Sequence, residues 1–253
     1  MDLLVIAIVA LLTSWLTLLS GFGLGTLLLP VFALFFEVEV AIALTAIVHV
    51  LNNLFKFGLL AKWVNRGVVL WFGVPGILGA FLGVRMLSRL SHLDSWFVSD
   101  TVVVDPLSAV IGVLMIFFAL TELFPKMKQF SFKRNLLALG GIFSGFFGGL
   151  SGHQGALRSM FLIKAGLSKE VYIATGVAIA LLIDFTRIPM YLMRMPRGMM
   201  HDHWAPVIIA TGFAFFGALV GKRMMKKVTF RFVQILVGIM MIGIGFGLIL
   251  GVF

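Results

Sequence analysis

The chain has 253 residues, of which 61% are hydrophobic and only 12% charged, and its mean hydropathy is +1.13. Soluble globular domains carry about 45–50% apolar and about 25% charged residues, so this composition excludes a cytosolic enzyme, a disordered chain and a disulfide scaffold. The net charge of +10 fits the basic cytoplasmic loops of a membrane protein better than a nucleic-acid partner. Cysteine is absent, which excludes thiolate metal sites and disulfides.

Long apolar segments follow one another along the chain. Met1-Asp2 provides no basic n-region, so we expect Leu3–Leu19 to be kept as a first helix and not cleaved as a signal peptide. Charge-free runs such as Trp204–Gly221 and Val233–Phe253 are long enough, at ~1.5 Å per residue, to cross a ~30 Å hydrocarbon core. The sequence thus predicts an all-α polytopic membrane protein. Its apolar segments cover residues 3–20, 26–36, 38–60, 67–84, 105–123, 134–150, 156–167, 170–192, 204–221 and 230–252.

Two of these segments, 26–36 and 156–167, are too short to span a bilayer. Each follows a glycine-rich break, Ser20–Gly25 in the first case and Gly148–Gly155 in the second. Interrupted short segments at corresponding positions of two halves are the best sequence indicator of a transporter's binding site.

An internal repeat relates the two halves. A shift of 131 residues lays 20–58 on 151–189 without a gap and places Lys56 on Arg187. We therefore divide the chain into a first repeat, 1–124, a cytoplasmic linker, 125–130, and a second repeat, 131–253, within a single transport domain.

The distribution of basic residues favours an inverted relation between the repeats. If each repeat is a broken re-entrant helix hairpin plus three transmembrane helices, 13 bases lie on one face and four on the other. If the broken segments crossed as single spans, the bases would divide 8 against 9. Basic residues concentrate on the cytoplasmic side, so the first arrangement is preferred. It leaves both termini outside the cytoplasm.

A polar stripe follows one predicted helix of the first repeat. Thr45, His49, Asn52, Asn53 and Lys56 are spaced at i, i+4, i+7, i+8 and i+11, so they share one helix face. A contiguous polar face directly after a broken helix indicates a cavity wall. A Lys56 side chain that reaches the cytoplasmic interface is the alternative for that residue.

A shorter stripe occupies the corresponding helix of the second repeat, at Asp184, Arg187 and Tyr191. A charge at the bilayer centre costs about 2.5–3.5 kcal/mol even on insertion scales, so such residues normally face a hydrated cavity or a partner. Asp184 and Arg187 lie three residues apart, and a purely structural ion pair is the alternative to a functional one.

The glycine breaks predict an anion site. We expect Gly21–Gly25 and Gly152–Gly155 to be non-helical hairpin tips that enter from opposite sides and meet near the midplane. A helix that starts there presents unpaired N–H groups and partial positive charge. The charged residues that the inverted arrangement assigns to neither face sum to +2, and they are Lys56, Arg158, Arg187 and Asp184. This charge favours a small anion; glycines that serve only close helix packing are the alternative.

These motifs resemble the sulfite exporter TauE/SafE family of membrane permeases. The resemblance rests on Gly21–Gly25 with Leu29-Pro30, on His49–Asn53, and on the second-half runs Gly145–Gly155 and Asp184–Pro189. It implies a transporter of sulfite, sulfoacetate or other organosulfonates in the cytoplasmic (inner) membrane of a prokaryote. The absence of cysteine departs from the related thiosulfate-uptake permeases and argues against thiosulfate handling of that kind.

The predicted function is secondary transport, with export of such an anion by alternating access of the two repeats. An uptake permease and a passive anion channel are the alternatives, and an intramembrane enzyme is disfavoured because no HExxH, GxSxG or paired intramembrane aspartate is present. The expected partners are a small sulfur oxyanion or sulfonate and the lipid bilayer, with a homo-oligomer left open and no metal, cofactor or nucleic acid.

Candidate site residues follow from the breaks and the polar stripes. The predicted substrate-binding residues are Gly21, Phe22, Gly23, Gly25, His49, Asn52, Asn53, Lys56, Gly152, His153, Gln154, Gly155, Arg158 and Arg187. The candidates for proton coupling are Asp184, His49 and His153, whose charge can change while Lys and Arg stay charged.

Overall fold

The computed structural model describes residues 2–20, 24–99, 102–124, 132, 134–194, 204–223 and 230–252. Within them, the main helices are α1 (Asp2–Ser20), α2 (Leu24–Ala33), α3 (Val38–Leu60), α4 (Arg66–Leu90), α5 (Pro106–Leu123), α6 (Leu137–Ser151), α7 (Gln154–Leu162), α8 (Lys169–Leu192), α9 (Trp204–Arg223) and α10 (Phe230–Ile249). Single 3₁₀ turns lie at Ala61–Trp63, Arg134–Leu136 and Ile163–Ala165, and Val69–Gly73 of α4 is a π-helical turn. A short antiparallel hairpin pairs β1 (Phe97–Val98) with β2 (Val103–Val104).

Local sequence signals account for several helix ends. The side chain of Asp105 accepts a hydrogen bond from the backbone N–H of Ser108 at 2.9 Å, and Pro106 occupies the first position of α5. Helix α6 ends at Gly152, whose φ of +80° is the left-handed conformation that glycine adopts without steric cost. A second left-handed glycine, Gly166, follows the 3₁₀ turn after α7.

Three helical stretches among the described residues are long and apolar enough to cross a membrane: Val38–Trp63, Arg66–Leu90 and Lys169–Leu192. Shorter apolar helical stretches lie at Leu3–Trp15, Pro106–Thr121, Trp204–Val220 and Gly238–Ile249. Large apolar side chains such as those of Leu70, Trp71, Ile208 and Phe216 are exposed on the outside of the protein. A surface of this kind belongs in lipid, and the chain is an integral membrane protein.

Helix packing joins the two halves of the chain. The most extensive contacts pair α4 with α6, α1 with α9, α5 with α10 and α3 with α8. Lipid tails are as apolar as the helices, so close backbone approach at small residues drives association in membranes. At the α4–α6 contact, a Cβ built on Gly145 would collide with the backbone carbonyl of Gly76, and one on Gly83 would collide with that of Phe146.

The segments predicted from hydropathy agree with most helices to within a few residues, but α4 continues past the predicted end at 84 to Leu90, and two corrections concern the breaks. Gly25 and Gly155 are helical, because α2 begins at Leu24 and α7 at Gln154. One residue in the left-handed conformation, Gly152, is enough to separate α6 from α7, so the second break is shorter than predicted. Gly21, Phe22, Gly23 and the predicted linker 125–130 lie outside the described residues.

Candidate functional site

The predicted polar stripe lies on α3 and is buried along its whole length. Thr45, His49, Asn52, Asn53 and Lys56 are between 0% and 6% exposed. Helix α3 is therefore polar on the face that it turns to the interior, which is the pattern expected of a helix beside a polar site and not of one that only fills a core.

The carboxylate of Asp184 is the meeting point of three segments. Its Oδ2 lies 2.7 Å from Nδ1 of His49 on α3, and its Oδ1 accepts a hydrogen bond from Nε2 of Gln154 at 3.1 Å. Nε of Arg187 donates to the same Oδ1 at 2.9 Å, and Nη2 lies at 2.9 Å in electrostatic contact without hydrogen-bond geometry. Asp184, Arg187 and Gln154 have no exposed surface.

The neighbours of His49 favour one tautomer. A proton on Nδ1 points at the carboxylate of Asp184, and Nε2 can then accept from Nδ2 of Asn53 at 3.3 Å. His49 thus links the polar face of α3 to the carboxylate on α8.

Arg187 also binds the end of α6. Its Nη1 donates to the backbone carbonyl of Gly148 at 2.7 Å, and the hydroxyl of Tyr191 donates to the carbonyl of Gly149. The last carbonyls of a helix lack intrahelical donors and carry partial negative charge. A guanidinium here therefore holds α6 and α8 together, and it lies against Gly152, where an added Cβ would be 3.4 Å from Nη1.

Arg158 extends the network along α7. Its Nη1 donates to Oε1 of Gln154 at 3.3 Å, and its side chain lies against Gly176 of α8. Gln154 is held in turn by Ser144, whose hydroxyl donates to the Gln154 backbone carbonyl at 3.0 Å. Lys56 lies close enough to Arg158 for the two charges to repel each other.

The two breaks lie beside each other. A Cβ built on Gly25 would be 3.4 Å from the carbonyl oxygen of Gly152 and 3.8 Å from Cδ2 of His49. The starts of α2 and α7 are thus brought to the same polar cluster, which we call the buried polar cluster and define as His49, Asn53, Lys56, Gln154, Arg158, Asp184 and Arg187.

Two further predicted residues, His153 at the second break and Asn52 on α3, each have a buried nitrogen without a partner among the described residues. Nδ1 of His153 is 3.1 Å from Oγ of Ser151, and its ring stacks on Phe118 with 5.0 Å between centroids. Oδ1 of Asn52 accepts from Ser14 at 3.0 Å. Nε2 of His153 and Nδ2 of Asn52 are buried, and neither has a hydrogen-bond partner among the described residues. Buried polar atoms without partners are rare in folded proteins and mark sites that a ligand can complete.

The sequence did not identify Ser14, Ser144 or the carbonyls of Gly148 and Gly149 as parts of this region. Lone serines in apolar helices and backbone carbonyls carry no pattern that distinguishes them from packing residues. Only the adjacency of Thr13 and Ser14, after the apolar run from Leu3 to Leu12, gave a weak signal.

The model of the sulfite exporter TauE/SafE family matches residues 6–248, nearly the whole chain. No curated protein matches the chain significantly.

Proposed function

Because the chain belongs to the sulfite exporter TauE/SafE family, we propose that it is a secondary transporter that exports sulfite, sulfoacetate or a related organosulfonate by alternating access. Family membership itself makes it a membrane transporter of small sulfur-containing anions. The substrate, the direction and the mechanism are our proposal.

The observation that carries the proposal is the charge of the buried polar cluster. Arg158 and Arg187 contribute two positive charges against the single carboxylate of Asp184, Lys56 adds a third basic group, and all four side chains are at most 6% exposed. An excess of buried charge of one sign is costly, and an ion of opposite charge lowers that cost. A small oxyanion would supply that counter-charge, and a cation would not.

Neutral donors at the same place support binding of an oxyanion. Nδ2 of Asn52 has no hydrogen-bond partner among the described residues and can donate to an anion's oxygen, and the N-terminal N–H groups of α7 begin beside His153. Nδ1 of His153 donates to Ser151, whose hydroxyl donates to Phe147, so Nε2 of His153 donates to an anion only when the ring is protonated. A hydrogen bond involving a charged group contributes about 1.5–3 kcal/mol, more than a neutral pair. We assign the anion's first contacts to Arg158, Asn52 and His153, with further contributions from Lys56, His49, Gln154, Arg187 and Gly21–Gly25.

We further propose that the halves 1–124 and 131–253 are inverted repeats. The helix pairing supports a two-fold relation, because exchanging the repeats turns the α4–α6 contact into the α9–α1 contact and maps α3–α8 onto itself. The excess of bases on one predicted face supports an axis in the membrane plane. In this arrangement the protein lies in the cytoplasmic membrane with both termini outside the cytoplasm.

Proton coupling is the proposed energy source, with Asp184 and His49 as its candidates. Nδ1 of His49, on α3 of the first half, lies 2.7 Å from Oδ2 of Asp184, on α8 of the second half. A change in the protonation of either residue would therefore alter a hydrogen bond that joins the two halves. His153 is the third candidate, since its imidazole lies at the second break.

Flux through proteoliposomes tests the function. The purified protein is reconstituted, and radiolabelled sulfite and sulfoacetate are followed with and without an imposed proton gradient. We expect saturable flux and counterflow, in which unlabelled anion on one side drives accumulation of label on the other. Conductance without saturation would instead show a channel, and absence of flux for both anions would contradict the proposal.

A further inference from the structure

Asp184 is held in the way that a small oxyanion substrate would be held. Both of its carboxylate oxygens are engaged, by His49 from α3, by Gln154 at the start of α7 and by Arg187 on α8. These donors come from both halves of the chain and from the edge of the second break. They are also donors that the sequence assigns to the transported anion.

The individual N–H groups that bind Asp184 cannot serve a second anion at the same time. Nδ1 of His49 carries one proton, which points at Oδ2 of Asp184. Nε and Nη1 of Arg187 are committed to Asp184 and to the carbonyl of Gly148. An incoming oxyanion that uses Nδ1 of His49 or Nε of Arg187 must therefore take the place of the Asp184 carboxylate.

Arg158 differs from Arg187 in this respect. It donates to the neutral amide oxygen of Gln154 and forms no ion pair among the described residues. Its charge is available for an anion's first contact, before any contact of Asp184 is broken.

We propose that Asp184 is a tethered competitor of the transported anion. Its carboxylate occupies the anion's donors in the empty carrier and gives them up when the anion binds. The inference rests on the proposed function, and it adds a role for Asp184 that proton coupling alone does not require. Since Asp184 and His49 belong to different halves, the exchange also breaks a direct polar contact between the halves when substrate is present.

The competition predicts that removing the carboxylate tightens binding. In Asp184→Asn, the amide keeps the size of the side chain and still accepts hydrogen bonds, but it no longer attracts His49 and Arg187 as an anion does. We expect the Kd for sulfite and sulfoacetate, measured by titration calorimetry at constant pH, to fall at least ten-fold. Asp105→Asn is the matched control, because Asn caps α5 as well as Asp does, and its Kd should equal that of the parent.

A second measurement is made on the parent protein, so it does not depend on whether Asp184→Asn folds. Infrared difference spectra recorded on addition of sulfite should show a shift of a carboxylate stretching band as Asp184 exchanges its donors. The same shift should persist in Asp105→Asn and disappear in Asp184→Asn if that variant folds.

The outcomes separate the inference from the function on which it rests. If the parent binds and transports neither anion, the proposed function is wrong. If the parent binds them but its carboxylate bands do not change, or if folded Asp184→Asn binds no tighter than the parent, the competition is refuted and the transporter assignment stands. If Asp184→Asn does not fold, the infrared difference spectra of the parent protein test the competition.

Discussion

Neutralising Arg158 separates substrate binding from stability. Arg158 is 6% exposed, and the hydrogen bond from its Nη1 to Gln154 goes to a neutral acceptor at 3.3 Å. Arg158→Gln therefore leaves no carboxylate without a partner. The loss of the hydrogen bond to Gln154 costs only about 0.5–1.5 kcal/mol of unfolding free energy. The same change removes the cation that we assign to the anion, which costs about 1.5–3 kcal/mol of binding. We expect the Kd for sulfite to rise about 10- to 150-fold.

Arg187→Gln is the matched comparison, because the same chemical change should cost far more stability at this position. It leaves the carboxylate of Asp184 buried without its guanidinium partner and the carbonyl of Gly148 without one of its donors. Breaking a buried ion pair from one side costs about 3–5 kcal/mol. We expect this variant to lose stability far more than Arg158→Gln does.

Calorimetry with sulfite and sulfoacetate at constant pH measures the affinities, and thermal unfolding in detergent measures the stabilities. Lys56→Gln completes the series of the three buried bases. If all three variants bind both anions as the parent does, backbone and neutral donors must account for binding, and the reasoning from positive charge is wrong. If Arg158→Gln is destabilised as much as Arg187→Gln, the distinction between the two arginines fails.

Three further predictions concern the breaks, the helix packing and the topology. Gly25→Leu should abolish sulfite binding in calorimetry while the protein stays folded. Gly25→Ala should bind normally, because its Cβ would meet only ordinary contacts at 3.4 Å or more. Equal binding by both variants would show that this break is not part of the site. Gly145→Ala should lower the free energy of unfolding by about 1–3 kcal/mol or more, because its Cβ would collide with a backbone carbonyl of α4. The control Gly212→Ala, with nothing within 4 Å of the added Cβ, should unfold no more easily than the parent in the same denaturation experiment. Glu37 and Ser168 are both exposed, and each can be replaced by a single cysteine. The cysteines of Glu37→Cys and Ser168→Cys should react with an impermeant thiol reagent from opposite sides of the membrane. Reaction from the same side would contradict the inverted repeats.

The sequence by itself determined the membrane character, the order of the helices and their approximate bounds. These depend on local properties, namely the length of apolar runs, glycine at the breaks and the spacing of polar residues on one helix face. The polar stripe from Thr45 to Lys56 could be predicted for the same reason, since all its members lie on α3. The family could be recognised from the broken-helix motifs, and the family model confirms it over residues 6–248.

The tertiary structure decided which polar residues meet. His49 and Asp184 are 135 positions apart in the chain, and no periodicity relates them, yet they form the shortest link between α3 and α8. The role of Gly148 as an acceptor for Arg187 also depends on where α6 ends, which is set by a single left-handed residue, Gly152. Helical periodicity fixes the face on which a side chain lies, but the partner on that face comes from packing between helices, and glycines at the helix contacts set how closely those helices approach.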